Sequence, residues 1–248
     1  VDLHDPSPNS FWAVSDLHLH PSRPDVVEHF RRFLQLAAER TSTLVILGDL
    51  FDYWIGPYAF HRDEFSPVFH TLRDVLQDGL DLHFVGGNRD FLAGNDLGRL
   101  LNVSVHRSRW TRRRNREHWL GLHGDTLCHR DTSYQVYRRL IQNDFVGDAV
   151  RALPGPLKSL LIRRLRETSR KKVSSMQSGG PRLSPGRVRA HFRQGYNHLI
   201  CGHVHDPGGH TVEIGDRTCH LWVLGDWFEP EECVFFIGQP DQSRLAKF

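Results

Sequence analysis

Seven side chains able to hold a metal, spread over most of the chain in five short motifs, constrain this sequence more than any other feature. They are Asp16 and His18 in Asp16-Leu17-His18, Asp49 in Gly48-Asp49, Asn88 in Gly87-Asn88-Arg89-Asp90, His123 in His123-Gly124-Asp125, and His203 and His205 in Gly202-His203-Val204-His205. Most directly follow short apolar runs, at 11–14, 43–47, 82–85, 118–122 and 198–201, that read as buried strands. A residue at the carboxyl end of a strand in an open α/β sheet faces the crevice where such sheets place their active sites.

The residue types point to a definite chemistry. Two divalent ions about 3.5–4 Å apart can clamp the attacking and leaving oxygens of an in-line displacement at phosphorus. Asp49 is the natural bridge, because a carboxylate offers two oxygens and charge to offset cation repulsion. Asp16, His18 and His205 are expected on one ion, and Asn88, His123 and His203 on the other. The alternating spacing of Asp16/His18 and His203/His205 predicts extended backbone, with both side chains of each pair on one face. Mixed imidazole and carboxylate ligands suit Mn, Fe, Zn or Co better than Ca. Each motif alone is a weak signal; five in order, each at a strand end, describe a phosphoester-cleaving site.

Around these motifs the chain alternates strand and helix. Apolar Val26, Val27, Phe30, Phe33, Leu34 and Ala37 predict a helix over 25–40, and another is expected over 66–77. With the strands between them they give the βαβ rhythm of parallel sheets. Segments 103–109 and 117–122 read as a hairpin around a turn at 112–116, whose Arg112, Arg113, Arg114 and Arg116 read as a solvated loop. Short strands follow at 197–201, 211–214, 219–224 and 233–237. Between 132 and 193 the pattern is helical, with helices expected over 134–141, 157–172 and 185–193, so this segment reads as an insertion over the site. The expected domains are a core of 1–131 and 194–248 and a helical cap of 132–193.

The order Asp-x-His, Gly-Asp, Gly-Asn-x-Asp, His-Gly-Asp, Gly-His-x-His resembles the calcineurin-like metallophosphoesterase superfamily. That resemblance implies an α/β fold, a two-sheet sandwich flanked by helices. Longer runs, Ser15-Asp16-Leu17-His18-Leu19, Gly48 to Gly56, Gly87-Asn88-Arg89-Asp90-Phe91-Leu92, His123 to Cys128 and Leu224-Gly225-Asp226-Trp227, resemble the UDP-2,3-diacylglucosamine pyrophosphohydrolase family. This closer resemblance implies cleavage of a UDP-linked acylated sugar to UMP and a lipid monophosphate in lipid A biosynthesis, usually with two manganese ions and beneath a helical cap. It also implies substrate contacts from Asp131, Tyr134, Arg166 and Ser169. The chain departs from the family pattern at Asp52, where Glu is commoner, at Val204 and Asp206, where Thr and Arg are usual, and over 172–176.

Arg89 carries an argument of its own. Many relatives have His after the Asn, able to help a hydroxyl leaving group depart. Arg keeps its proton but binds phosphate oxygens with a planar fork. A phosphate-monoester leaving group, with a second pKa of about 6, departs without protonation. Asn88, Arg89, His123 and His203 are therefore the expected catalytic residues, with Arg89 also binding substrate. A nucleotide, phosphodiester or phosphoprotein substrate remains an alternative for the same site.

Composition adds limits. Over 138–172 ten Lys or Arg face three acidic residues, a net +7 in a chain of net +3. Leu157, Leu160, Leu161 and Leu165 form an apolar stripe there. The combination suits a core-facing helix, or an acyl cleft whose basic face meets anionic headgroups. A nuclease would want more aromatics for stacking among those charges, which argues against nucleic acid as partner. Cys128, Cys201, Cys219 and Cys233 are far apart with no CxxC pair, so they read as small buried hydrophobes of a reducing compartment. No apolar run nears the roughly 18 residues of a membrane span. Residues 1–5 show no secretory signal, although a chain beginning at Val1 leaves upstream sequence open. The expectation is a cytoplasmic protein, peripheral on the inner membrane.

Overall fold

The computed structural model describes residues 10–54, 65–90, 92–128, 152–154, 157, 160, 164, 182–229, 232–239 and 242–248. Among these, eleven strands form two mixed sheets. The first contains β1 (Phe11–Val14), β2 (Thr43–Ile46), β3 (Asp81–Val85), β4 (Ser104–His106), β10 (Val234–Gly238) and β11 (Arg244–Lys247), in the order β11-β10-β1-β2-β3-β4. The second contains β5 (Trp110–Arg114), β6 (Glu117–Gly121), β7 (His198–Cys201), β8 (Gly208–Ile214) and β9 (Arg217–Val223), in the order β5-β6-β7-β9-β8. This is the helix-flanked α/β sandwich that the resemblance implies.

Each sheet has a parallel centre: β1, β2, β3 and β4 run together in the first, and β6, β7 and β9 in the second. Strands covered on both faces need apolar residues at every position rather than every other one. Accordingly all four residues of β1, β2 and β7 are buried. The two-residue period of a strand then sorts side chains between layers. Phe11 and Ala13 join Val45, Leu47, Trp110, Trp119 and Ile200 between the sheets. Trp12 and Val14 face the opposite way, into a cluster with the helices.

Helix α1 (Pro24–Arg40) buries the six apolar residues that its periodicity singles out, starts with Pro24 in its first turn and keeps Asp25 at its positive end. Helix α2 (Ser66–Gln77) packs beside it. Helix α4 (Pro185–Arg193), read in the sequence as the end of the insertion, buries Val188 and Phe192 against the second sheet with Leu199 and Leu221. The other helices expected in 132–193 lie outside the described residues, apart from helical Ala152, Leu157, Leu160 and Arg164. No described helix is long and apolar enough to cross a membrane.

Three features differ from the sequence reading. Helix α3 (Ala93–Leu101) was not anticipated, because Gly94 and Gly98 depress its helical propensity. A Cβ at Gly94 would stand 2.8 Å from Val105 Cγ1, so a bare backbone is what lets α3 lie against β4. The hairpin is also shifted. Segment 103–109 supplies β4, parallel to β3 at the edge of the first sheet, whereas β5 pairs with β6 around Asn115-Arg116. Arg112, Arg113 and Arg114 thus lie on a strand rather than in a loop. Arg112 rests over the Phe11 ring at 5.4 Å, a cation–π contact that alternating polar residues did not advertise. The third is β11, a short polar strand carried by its pairing with β10. Cys201, Cys219 and Cys233 are buried free thiols and Cys128 is partly buried and free.

Phe33 is fully buried and meets the rings of Trp12, Phe30, Trp227, Phe235 and Phe248. Phe33→Ala should cost about 3–5 kcal/mol of stability by the cavity it leaves. Urea unfolding checks this; a loss under about 1 kcal/mol would mean that the aromatic cluster closes over the gap.

Candidate metal centre

The loops that leave the parallel strands of both sheets open on one crevice. Asp16 follows β1, Asp49 follows β2 and Asn88 follows β3; His123 follows β6 and His203 follows β7. Backbone hydrogen bonds tie these loops to one another: Asp16 N–H to the Gly48 carbonyl at 3.1 Å, His18 N–H to that of Asp49 at 2.9 Å, and Gly202 N–H to that of His123 at 2.9 Å. The side chains are therefore presented by a braced frame.

All seven residues singled out in the sequence come together here. Asp16 Oδ1 lies 3.3 Å from His205 Nε2 and 3.9 Å from His18 Nε2. Asp49 Oδ2 is 3.9 Å from His18 Nδ1, and its Oδ1 is 3.7 Å from His123 Nε2. His123 Nε2 in turn lies 2.7 Å from Asn88 Oδ1 and 3.2 Å from His203 Nδ1. Two groups, Asp16 with His18 and His205, and Asp16 with Asp49 and His123, have ligand atoms within 4.8 Å of one another. Asp16 belongs to both, while Asp49 stands between His18 and His123.

The backbone expectation is corrected. Asp16, His18, His203 and His205 are not extended; their φ values are 56, 48, 70 and 54°, and that of Asp49 is 52°. They lie past the last paired residues, Val14, Ile46 and Cys201, where no ladder imposes strand geometry. Left-handed backbone at a residue with a Cβ costs about 1–3 kcal/mol. Five of the seven non-glycine residues with positive φ among those described are candidate ligands, so the strain is concentrated at this crevice. A Cβ at Gly202 would come 2.0 Å from Asp16 Oδ2. His203 N–H instead donates to that oxygen at 2.8 Å.

Burial decides the electrostatics. Burial raises the Asp49 carboxyl, and the nearby Asp16 charge adds to the effect. Burial would also raise Asp16, but the His205 hydrogen bond and the charges of His123, His18 and His205 hold it below the usual carboxylate range. Burial, then the positive charge of Arg89, lowers His18 well below its ordinary value, and burial with His123 brings His203 down to about 4. These two imidazoles are neutral, as a ligand must be. His205 goes the other way: burial alone would lower it, yet Asp16 and Asp226 push it up to about 10. His123 is likewise raised, with burial opposed by Asp49, Asp16 and Asp125.

These residues fit divalent ions. Both ring nitrogens of His18 are buried without a hydrogen-bond partner among the described residues, which is costly unless something else takes up a lone pair. His123 Nδ1 donates to the Leu47 carbonyl at 3.0 Å, which directs Nε2 to the crevice. His205 Nδ1 is held by Asp226 Oδ2 at 2.9 Å, the carboxylate–histidine pairing typical of metal sites.

Two functional carboxylates had no assigned role in the sequence reading. Asp226 follows β9, the third parallel strand of the second sheet, and Gly225-Asp226 repeats the strand-end pattern of Gly48-Asp49. That repetition was the available signal. Asp90 accepts backbone N–H bonds from Gly87, Asp49 and Phe51, which locks the loops after β2 and β3 together. Burial and the Asp49 charge push it up to about 7. Arg89 Nη1 donates to Asp52 Oδ1 at 2.7 Å, its Nε is 3.5 Å from Asp49 Oδ2, and its guanidinium lies 5.7 Å from the centre of the Tyr53 ring. Asp131, Tyr134, Arg166 and Ser169 lie outside the described residues.

Comparison with known proteins follows the same line. Residues 10–207 match the family described as Calcineurin-like phosphoesterase. A UDP-2,3-diacylglucosamine hydrolase of Stenotrophomonas maltophilia is 35% identical over 228 residues, 87% of this chain and 90% of that protein. One of Azotobacter vinelandii is 36% identical over 218 residues, 86% and 89% of the two chains. Among solved structures, a dimetal phosphatase from Danio rerio aligns over 94% of this chain and 92% of that one, with a TM-score of 0.45 and 16% identity.

Because His205, pushed up to about 10, holds a proton that a cation must displace, metal uptake near neutrality should release a proton and tighten as pH rises towards about 10. Calorimetry in buffers of different ionisation enthalpy measures the release. A pH-independent affinity would contradict the charge given to His205.

Proposed function

The chain belongs to the calcineurin-like phosphoesterase family and is a metal-dependent hydrolase, and from that premise we propose that it cleaves the pyrophosphate bond of UDP-2,3-diacylglucosamine to UMP and the lipid monophosphate. The observation that carries this reading is Arg89 beside Asp49, in a chain whose relatives over nearly their whole length are named UDP-2,3-diacylglucosamine hydrolases.

The chemistry that two divalent ions supply in such a crevice is activation of water and neutralisation of phosphate charge. Asp16, His18 and His205 would hold one ion and Asn88, His123 and His203 the other, with the Asp49 carboxylate, between His18 and His123, within reach of both. Manganese suits this donor set and the family resemblance. Asp226 keeps His205 turned inward with its Nδ1 occupied. Arg89, raised above its ordinary value because Asp49 and Asp52 outweigh its burial, stays charged throughout the working range. It binds non-bridging oxygens and stabilises the charge that grows on them during displacement. It has no proton to give, and the departing phosphate monoester needs none. Water adds to one phosphorus and gives up a proton to solvent, the bond from that phosphorus to the bridging oxygen breaks, and that oxygen leaves with the electron pair.

The segment that precedes α4, from 132, is read as the cap, with Asp131, Tyr134, Arg166 and Ser169 on the substrate, while α4 itself packs on the second sheet. Leu157 and Leu160, helical and exposed at 50% and 39%, supply apolar surface within the basic run, which supports acyl binding and contact with anionic lipid. A cytoplasmic location, peripheral on the inner membrane, accords with such a substrate.

Manganese-loaded protein incubated with UDP-2,3-diacylglucosamine should release UMP. Turnover of simple aryl phosphates with no UMP release would favour another phosphoester. Asp49→Ala should lose bound metal and all turnover. Arg89→Ala should retain metal by elemental assay while its rate falls about 10²-fold, and an unchanged rate would remove Arg89 from the mechanism.

A further inference from the structure

Phe228 is a large apolar side chain left open beside the candidate ligands. It is 41% exposed, whereas Trp227 and Leu224 before it are fully buried. Its ring lies flat on that of His18, with centroids 5.2 Å apart and an interplanar angle of 11°, and 6.0 Å from that of His205. The backbone that carries it is anchored on both sides. Arg23 Nη2 donates to the Phe228 carbonyl at 2.7 Å, while that guanidinium is paired with Asp25. Phe228 N–H donates to Asp226 Oδ1 at 3.3 Å, and the other oxygen of Asp226 holds His205. The ring is therefore exposed and fixed in place at once.

We propose that Phe228 is a stacking platform for the nucleobase of the substrate, and so makes this site prefer nucleotides to other phosphates. The platform deepens the sugar-nucleotide reading, on which it rests for its base being uracil. In a nucleotide a single ribose separates phosphate from base, and the Phe228 ring stands 5.2 Å from that of His18 and 6.0 Å from that of His205, centroid to centroid. An open, flat aromatic face is suited to a planar ring, because stacking uses the face alone. An acyl chain gains most when walls surround it on several sides, which one ring face does not provide. The near-parallel arrangement of His18 and Phe228 means that a bound base would extend an existing stack.

The test compares UMP with ribose 5-phosphate, which keeps the phosphate and sugar but lacks the base. Binding of each to the manganese-loaded protein is measured by calorimetry, with metal content checked by elemental assay. UMP should bind the unaltered protein more tightly. Phe228→Ala should weaken UMP about tenfold while leaving ribose 5-phosphate within about twofold, and Phe228→Trp should keep the preference. Equal weakening of both ligands would make the ring a mere shield for His18 and overturn the platform. So would an unchanged ratio, or an absence of preference in the unaltered protein. Failure of the substrate reading looks different: no UMP is released from UDP-2,3-diacylglucosamine, yet Phe228→Ala still erases the preference for UMP.

Discussion

Asp16, Asp49 and Asp90 are almost wholly removed from solvent, with relative exposures of 0%, 2% and 0%, and they share one crevice. Like charges taken out of water repel one another and lose their hydration, so a group of this kind persists only with compensating charge or protons. The structure shows each form of compensation. Asp90 is pushed towards neutrality and its oxygens are occupied by backbone N–H groups. Asp16 stays ionised against His205 and the His203 amide. Asp49 is left between His18, His123 and Arg89, where cationic charge is what its burial demands.

That requirement explains the placement of the site. A crevice lined by carboxylates and imidazoles needs backbones that approach it end-on from several directions without consuming their own hydrogen bonds. Parallel strands do this, since all of them deliver their carboxyl ends to one edge. Here β1, β2 and β3 converge with β6, β7 and β9, so six strand ends surround the crevice. The cost is local: five candidate ligands adopt left-handed backbone, held by bonds between loops. A packed core between the sheets and an aromatic cluster around Phe33 supply the stability against which that strain is set.

The helices with clear amphipathic period, α1 and α2, were readable because burial on one face writes itself into residue spacing. Helix α3 was not, since its two glycines serve a close approach to β4 that no local pattern reveals. The strand partners of β4 and β5 were misread for a related reason. Both candidate pairings of 103–109 satisfy local preferences, and only the parallel neighbour β3 decides between them. In the site, the seven candidate ligands stood out because metal chemistry limits which side chains will serve. Asp226 and Asp90 did not, because a carboxylate that orients a neighbour carries the same letter as any surface acid.

What the sequence alone determined was a set of candidate donors, their order along the chain and their attachment to strand ends, because these follow from residue chemistry and two-residue periodicity. The tertiary structure decided how the candidate donors meet: which loops brace one another, which imidazoles stay neutral, and that the Phe228 ring stands open beside His18. Those properties depend on distances between residues as far apart as Asp16 and His205, and on the water that their packing excludes. No local stretch of chain encodes a separation across the fold, so they become visible only when the two sheets close around the crevice.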